Sequence, residues 1–137
     1  MFTADKKVGR LIELRARGAI GDAEVAAFRS HMVHVLGSLR PDDKVIAMAD
    51  FRGVRVVAPP LAEAIVTMLR ASGQRLERGA VLVSDEAVAR IQVARVLAQA
   101  HHDGRKACFT VEEAIAWLEP LLTPAERARL VRFLAEV

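Results

Sequence analysis

Short apolar runs that alternate with longer amphipathic segments constrain this chain more than any other feature. The runs 44–50, 79–83 and 106–109 have the length and composition of buried strands. The segments between and after them repeat their apolar residues every three or four positions, which predicts helices. Strand–helix–strand units pack as a parallel sheet. The order therefore predicts one α/β domain with a mostly parallel sheet of four to five strands flanked by helices.

Local signals mark the ends of several predicted elements. Residues 8–17 alternate apolar and charged side chains, which predicts a half-buried strand, and residues 2–4 are expected to pair with it as a hairpin. Ser84 is the expected cap of the third helix. Thr110 and Thr123 each precede a glutamate by three residues, which is the spacing of a capping box.

The composition excludes several classes of protein. The chain has 137 residues, of which 53% are hydrophobic and 27% charged, so a single folded domain is expected rather than disorder. No apolar run reaches 18 residues, which argues against membrane insertion, and the single cysteine fits a cytoplasmic protein. Acidic residues interleave with the arginines and tyrosine is absent, so no nucleic acid partner is predicted.

The residues that could carry chemistry do not form a recognisable site in the sequence. His31 and His34 lie one helical turn apart but have no third and fourth metal ligand at helical spacing. The pair beginning at His101 precedes Asp103 and a glycine, a pattern more typical of a helix end than of a catalytic base. Cys108 lies in an apolar strand, and Ser84 lacks the glycines of a nucleophile elbow. We therefore predict no metal, no cofactor, no catalytic residue and no enzymatic activity.

Three segments carry a family resemblance. The first, 45–60, is a strand that ends in Asp50 and a loop that leads to a proline-initiated helix. Residues 81–85 form the next strand and helix start, and residues 109–118 form the closing strand and helix. In this order they resemble the anti-sigma-factor antagonist (STAS) family, in its SpoIIAA-like branch, over about residues 2–118. The resemblance implies a SpoIIAA-like fold and a non-enzymatic regulatory module that binds a protein partner in a bacterial cytoplasm.

One feature of that family is missing here. Its phosphorylated branch carries Asp-Ser-x-Gly at the helix entrance, where this chain has Ala58, Pro59, Pro60 and Leu61. Proline has no hydroxyl group to phosphorylate, so the resemblance does not extend to regulation by phosphorylation at this position.

The resemblance also implies a partner-binding surface on the second helix and its entrance loop. Helical spacing places one side of this helix, including Val66, opposite its apolar side and therefore in solvent. The predicted partner-binding residues are Asp50, Arg52, Pro59, Pro60, Glu63, Val66, Thr67, Arg70, Ser84 and Asp85. The alternative function is a carrier or sensor of a small ligand, a nucleotide or a lipid, on the same fold, and it requires a pocket.

The third helix is apolar around more of its circumference than a sheet can cover. Ala87, Ile91, Ala94 and Ala98 are expected to face the sheet. The rest of its apolar surface is covered either by the C-terminal helix of residues 119–137, packed on the 1–118 domain, or by a second subunit in a homodimer. The predicted oligomer interface is Val93, Val96, Leu97, Leu130, Phe133 and Leu134.

Overall fold

A computed structural model describes residues 1–136, except for the side chain of Leu61. Val137, the last residue of the predicted C-terminal helix, lies outside the described residues. Strands and helices follow one another in the predicted order. They are β1 (Phe2–Val8), β2 (Leu11–Ile20), α1 (Asp22–Gly37), β3 (Val45–Val57), α2 (Pro59–Ser72), β4 (Leu76–Val83), α3 (Ala87–Ala100), β5 (Arg105–Cys108), α4 (Val111–Leu118) and α5 (Pro124–Ala135).

The five strands form one sheet in the order β1-β2-β3-β4-β5. β1 pairs antiparallel with β2 as the predicted hairpin, and the other neighbouring strands are parallel. Each parallel crossover moves one strand further in the same direction. Because such crossovers are right-handed, α1, α2 and α3 all lie on one face of the sheet. The predicted α/β fold class is confirmed.

Both faces of the sheet are covered, and the strand alternation divides the core between them. On β3, Val45, Ala47 and Ala49 point toward α1–α3, whereas Ile46 and Met48 point toward α4 and α5. The central strands are therefore buried on both sides, as is typical of parallel sheets.

The charged side of β2 is buried at Glu13 and largely covered at Arg15, although Arg17 is exposed, so the prediction that this side lies in solvent was wrong for most of the strand. Glu13 is only 4% exposed because α5 lies over this part of the sheet. Its carboxylate accepts two hydrogen bonds from Arg129 of α5, at 2.7 and 2.6 Å. Charged residues on a strand therefore do not always mark a face in solvent.

The C-terminal helix packs on the sheet of its own chain, on the face opposite α3. Leu130, Phe133 and Leu134 are core residues that pack with Leu11 of β2 and Leu118 of α4. They do not form a surface for a second subunit, and α5 does not cover α3. The expectation for these three residues is corrected, because the β5–α4 connection carries the chain to the other face.

The third helix is turned the opposite way from the prediction. The residues expected to face the sheet are exposed, with Ile91 60% accessible, whereas Val93, Val96 and Leu97 point inward. These three are therefore not on an oligomer surface. Gln92 fixes the orientation because its side-chain amide exchanges two hydrogen bonds with the backbone of Val57, at 3.0 and 2.6 Å.

Candidate functional site

The predicted partner-binding residues divide into an exposed group and a buried group. Glu63, Thr67 and Arg70 lie on one exposed face of α2. Val66, in contrast, is only 7% exposed, so its predicted exposure was wrong. It lies one turn before Arg70, whose Nε donates to the Gln99 carbonyl of α3, so this part of α2 lies beside α3. Of the remaining predicted residues, Arg52, Pro59, Pro60 and Asp85 are also exposed.

Asp50 does not face a partner, because it is 5% exposed and its carboxylate is engaged by two arginines, Arg15 and Arg52. Its carboxylate accepts from Arg15 Nε at 3.0 Å and from Arg52 Nε at 2.9 Å and Nη2 at 3.0 Å. Burial by itself raises the pKa of Asp50, but the hydrogen bonds from Arg52 and Arg15 outweigh burial and the pKa is lowered. Asp50 therefore remains ionised as the centre of a structural cluster.

The same two arginines attach the end of α5 to the sheet. Arg15 Nη2 donates to the Phe133 carbonyl at 2.7 Å, and Arg52 Nη2 donates to the Leu134 carbonyl at 2.9 Å. The last carbonyls of a helix lack partners within it and favour a nearby cation. Arg52 is thus occupied by a structural role, although part of its side chain is exposed.

The candidate nucleophiles and bases also make structural contacts. The N-cap of α3 is Glu86, not Ser84 as predicted. The Ser84 hydroxyl lies 3.4 Å from the Val54 carbonyl. Cys108 is fully buried, and burial raises the pKa of its thiol to about 11. His102 accepts a hydrogen bond at Nδ1 from the Gly104 N–H, which leaves Nε2 to donate to the Gly73 and Leu76 carbonyls.

A cavity of about 130 Å³ lies between the sheet and α1–α3. We call it the inner cavity. Its walls are almost entirely apolar. They include Phe28 and Met32 of α1, Ile65 and Leu69 of α2, Val93, Val96 and Leu97 of α3, and Ile12, Leu14, Ala47, Ala49, Phe51 and Val81 of the sheet. This is the pocket that the alternative function requires.

A second hollow, of about 400 Å³, lies between α1 and α2 and is more open to solvent. We call it the α1–α2 groove. Its lining is also mainly apolar and includes Val33, Met68 and Ala71. Phe28, Met32, Leu36, Ser72 and Arg75 line both hollows, so the groove adjoins the inner cavity. A ligand with a long apolar part has space in both.

The polar side chains that line the inner cavity are few, and they differ in how well they are satisfied. Gln92 exchanges two hydrogen bonds with the Val57 backbone, and the Ser72 hydroxyl donates to the Met68 carbonyl at 3.0 Å. Arg105 Nη2 donates to the Leu69 carbonyl at 2.9 Å, but its Nη1 is buried without a partner among the described residues. Burial lowers the pKa of this guanidinium.

Sequence reasoning missed the cavity, although one signal for it was present. The sheet face under the helices carries small residues at its centre, Ala47 and Ala49 on β3 and Gly79 on β4, and α3 presents Ala89. Helices packed over such a face leave space that no side chain fills. Sequence periodicity reports which side is buried but not the volume that remains.

The architecture is similar to that of a solved protein. A crystal structure from Shewanella loihica PV-4, described as an uncharacterized protein from the DUF3478 family with a SpoIIAA-like fold, superposes with a TM-score of 0.64. The match covers 86% of this chain and 92% of the other, at 14% sequence identity. The chain has a SpoIIAA-like fold. A likeness at this identity establishes the SpoIIAA-like fold alone, and comparisons with family models and with curated proteins found no match.

Two further observations concern the described part of this SpoIIAA-like fold. None of its helices in residues 1–136 is long and apolar enough to cross a membrane. Within the same residues, histidine, cysteine and acidic side chains do not gather into a group of three that would hold a metal ion. His31 and His34 thus have no third ligand beside them in that part of the chain.

Proposed function

We propose that the protein binds a small apolar ligand in the inner cavity. The single observation that carries the proposal is the cavity itself, about 130 Å³ enclosed by aliphatic and aromatic side chains. Ligand sites are typically concave and mostly apolar, with a few polar groups, and an apolar cavity of about this size binds a molecule such as benzene. The resemblance to the STAS family further supports a non-enzymatic role in a bacterial cytoplasm.

The direct test is to fill the cavity with protein. Ala47 lines the cavity from β3, and Ala47→Leu adds three carbon atoms to that space. We expect the variant to fold with unchanged or higher stability and to lose saturable binding of toluene, measured by methyl NMR shifts and by the rise in melting temperature.

The matched control is the same substitution where the core has no space. Ala114 is fully buried on α4, on the other face of the sheet, and does not line the cavity. Ala114→Leu is expected to destabilise the protein by about 1–3 kcal/mol through overpacking. Failure of wild-type protein to bind toluene would refute the proposal, as would a loss of stability in Ala47→Leu as large as in Ala114→Leu.

A second candidate function is the regulatory binding of a protein partner. The observation that favours it is the exposed apolar side of α3, where Val88 and Ile91 are more than half accessible and no described part of the chain covers them. Large exposed apolar side chains that lie one turn apart are typical of an interaction surface. The α2 face is a weaker candidate, because the burial of Val66 leaves it without its apolar residue.

This second candidate is tested by comparing Ile91→Asp with Val33→Asp, a substitution at a similarly exposed valine of α1. A regulatory partner recovered in stoichiometric amount should be lost with Ile91→Asp and retained with Val33→Asp. A second copy of the chain should show the same contrast in analytical ultracentrifugation. Equal results for the two variants would contradict binding at α3.

A further inference from the structure

We infer that the ligand of the inner cavity is an apolar carboxylic acid whose carboxylate pairs with Arg105. This inference rests on the proposed function, since it names the chemical class of the ligand for the same cavity. It is carried by the position of three arginines around the two hollows and by the nature of their present partners.

Arg105 is placed at the cavity wall by β5. This residue begins the strand, pairs with Gly79 of β4 and contributes its side chain to the cavity lining. A guanidinium has five N–H donors, and here one of them reaches the Leu69 carbonyl while the buried Nη1 has no partner among the described residues. A buried cation without a counter-charge is costly, and an anion placed beside it relieves that cost.

The region where the two hollows adjoin carries more positive charge. Arg75 lines both the inner cavity and the α1–α2 groove, and its guanidinium donates only to the neutral backbone carbonyls of Asp43 and Arg40, at 3.1 and 3.0 Å. Arg29 lines the groove. Among the described residues, neither hollow has a carboxylate in its lining. The electrostatic environment of both hollows therefore favours an anion.

The chemistry of the walls selects a monocarboxylate with an apolar body. Apart from the arginines, Ser72 and Gln92, the cavity offers only apolar surface, and both of those polar side chains already have partners. A carboxylate matches the guanidinium fork with two hydrogen bonds. A phosphate has three oxygens and needs more donors than this wall provides.

The alternative role of Arg105 is structural, because its bond to Leu69 helps to satisfy the last carbonyls of α2. A structural role affects folding but does not make binding depend on the charge of the ligand. The experiment therefore compares octanoate with 1-octanol, two probes of equal chain length, by isothermal titration calorimetry of the full chain. Octyl phosphate serves as a third probe.

We expect wild-type protein to bind octanoate about 10- to 100-fold more tightly than octanol, the usual gain from hydrogen bonds to a charged group. Arg105→Met should reduce octanoate binding to the level of octanol and leave octanol binding unchanged. Arg105→Lys should retain part of the preference for the acid. Arg95→Met, at an exposed arginine of α3, should change neither.

Equal affinity of the wild type for octanoate and octanol would overturn the inference without need of any variant, while leaving the proposed function standing. Undiminished octanoate binding by Arg105→Met, or tighter binding of octyl phosphate than of octanoate, would also overturn it. If neither octanoate nor octanol binds and toluene also fails, the proposed function itself is refuted.

Discussion

The buried ion pair between β2 and α5 gives a stability prediction with a magnitude. Glu13 and Arg129 are 4% and 9% exposed and share two hydrogen bonds shorter than 2.8 Å. These bonds raise the pKa of the Arg129 guanidinium. Arg129→Met keeps much of the side-chain volume but leaves the Glu13 carboxylate without its counter-charge in the core.

We expect Arg129→Met to lower the free energy of unfolding by about 3–5 kcal/mol, which is the usual effect of leaving one half of a buried pair behind. For a domain with a total stability of about 5–15 kcal/mol, the variant should fold but melt at a much lower temperature. The double variant Glu13→Leu/Arg129→Met removes both charges and is expected to recover most of the loss, because a buried pair contributes little net stability over apolar residues.

The assay is urea unfolding followed by circular dichroism and by the fluorescence of Trp117, the single tryptophan of the chain. The control is Arg127→Met, since Arg127 pairs with Glu119 at 3.2 Å on the surface of the same helix, where about half of each side chain is exposed. This control should change the stability by less than about 1 kcal/mol. An equally small effect of Arg129→Met would refute the reasoning, and so would a double variant less stable than Arg129→Met alone.

Three further predictions concern acid stability, a turn and the thiol. The pKa of Asp50 is lowered from its ordinary 3.8, so the stability that this carboxylate contributes is present above that pH and is lost as the pH falls below it. Asp50→Asn should therefore make the free energy of unfolding depend less on pH between about pH 5 and pH 2. Gly9 has φ +54° and an added Cβ would meet the Glu126 carboxylate, whereas Gly18 has φ +77° and open space. Gly9→Ala should therefore destabilise the protein in urea unfolding more than Gly18→Ala, for which about 1 kcal/mol is expected from backbone strain alone. Cys108, buried and with a pKa of about 11, should react with iodoacetamide at pH 8 only after urea unfolds the chain, and rapid labelling of folded protein would contradict its burial.

The order of strands and helices could be predicted from the sequence because it depends on local patterns. At both predicted helix starts the threonine hydroxyl accepts from the glutamate backbone N–H. The capping box is complete at Thr123, where Glu126 accepts from the threonine N–H, whereas Glu113 accepts from the Phe109 N–H instead. The parallel sheet followed from the alternation of elements, since few topologies satisfy that order. The SpoIIAA-like fold, first indicated by the segments around Asp50 and residues 81–85, is established by the similarity to a solved structure.

The errors arose where the choice depends on tertiary packing. α3 is apolar on two sides, so its periodicity did not determine which side faces the sheet; the observed orientation includes the two hydrogen bonds exchanged between Gln92 and the Val57 backbone. Val66 is buried, and α2 packs on α3, a contact that the periodicity of α2 alone does not reveal. Glu13 and Arg129 are 116 residues apart, and no local pattern connects them. The cavity follows from the combined volumes of many side chains, which single positions do not reveal.

The division of the sheet between its two helix layers has a consequence for synthesis on the ribosome. Among the described residues, the face carrying Leu11, Ile46 and Met48 is covered by α4, α5 and the connection between them, all of which follow the five strands along the chain. Chains grow from the N-terminus at about 5–20 residues per second, so this apolar face stays open to water for seconds after β3 has been made. Until Phe133 has emerged, the nascent sheet presents a surface that favours chaperone binding or aggregation over native packing.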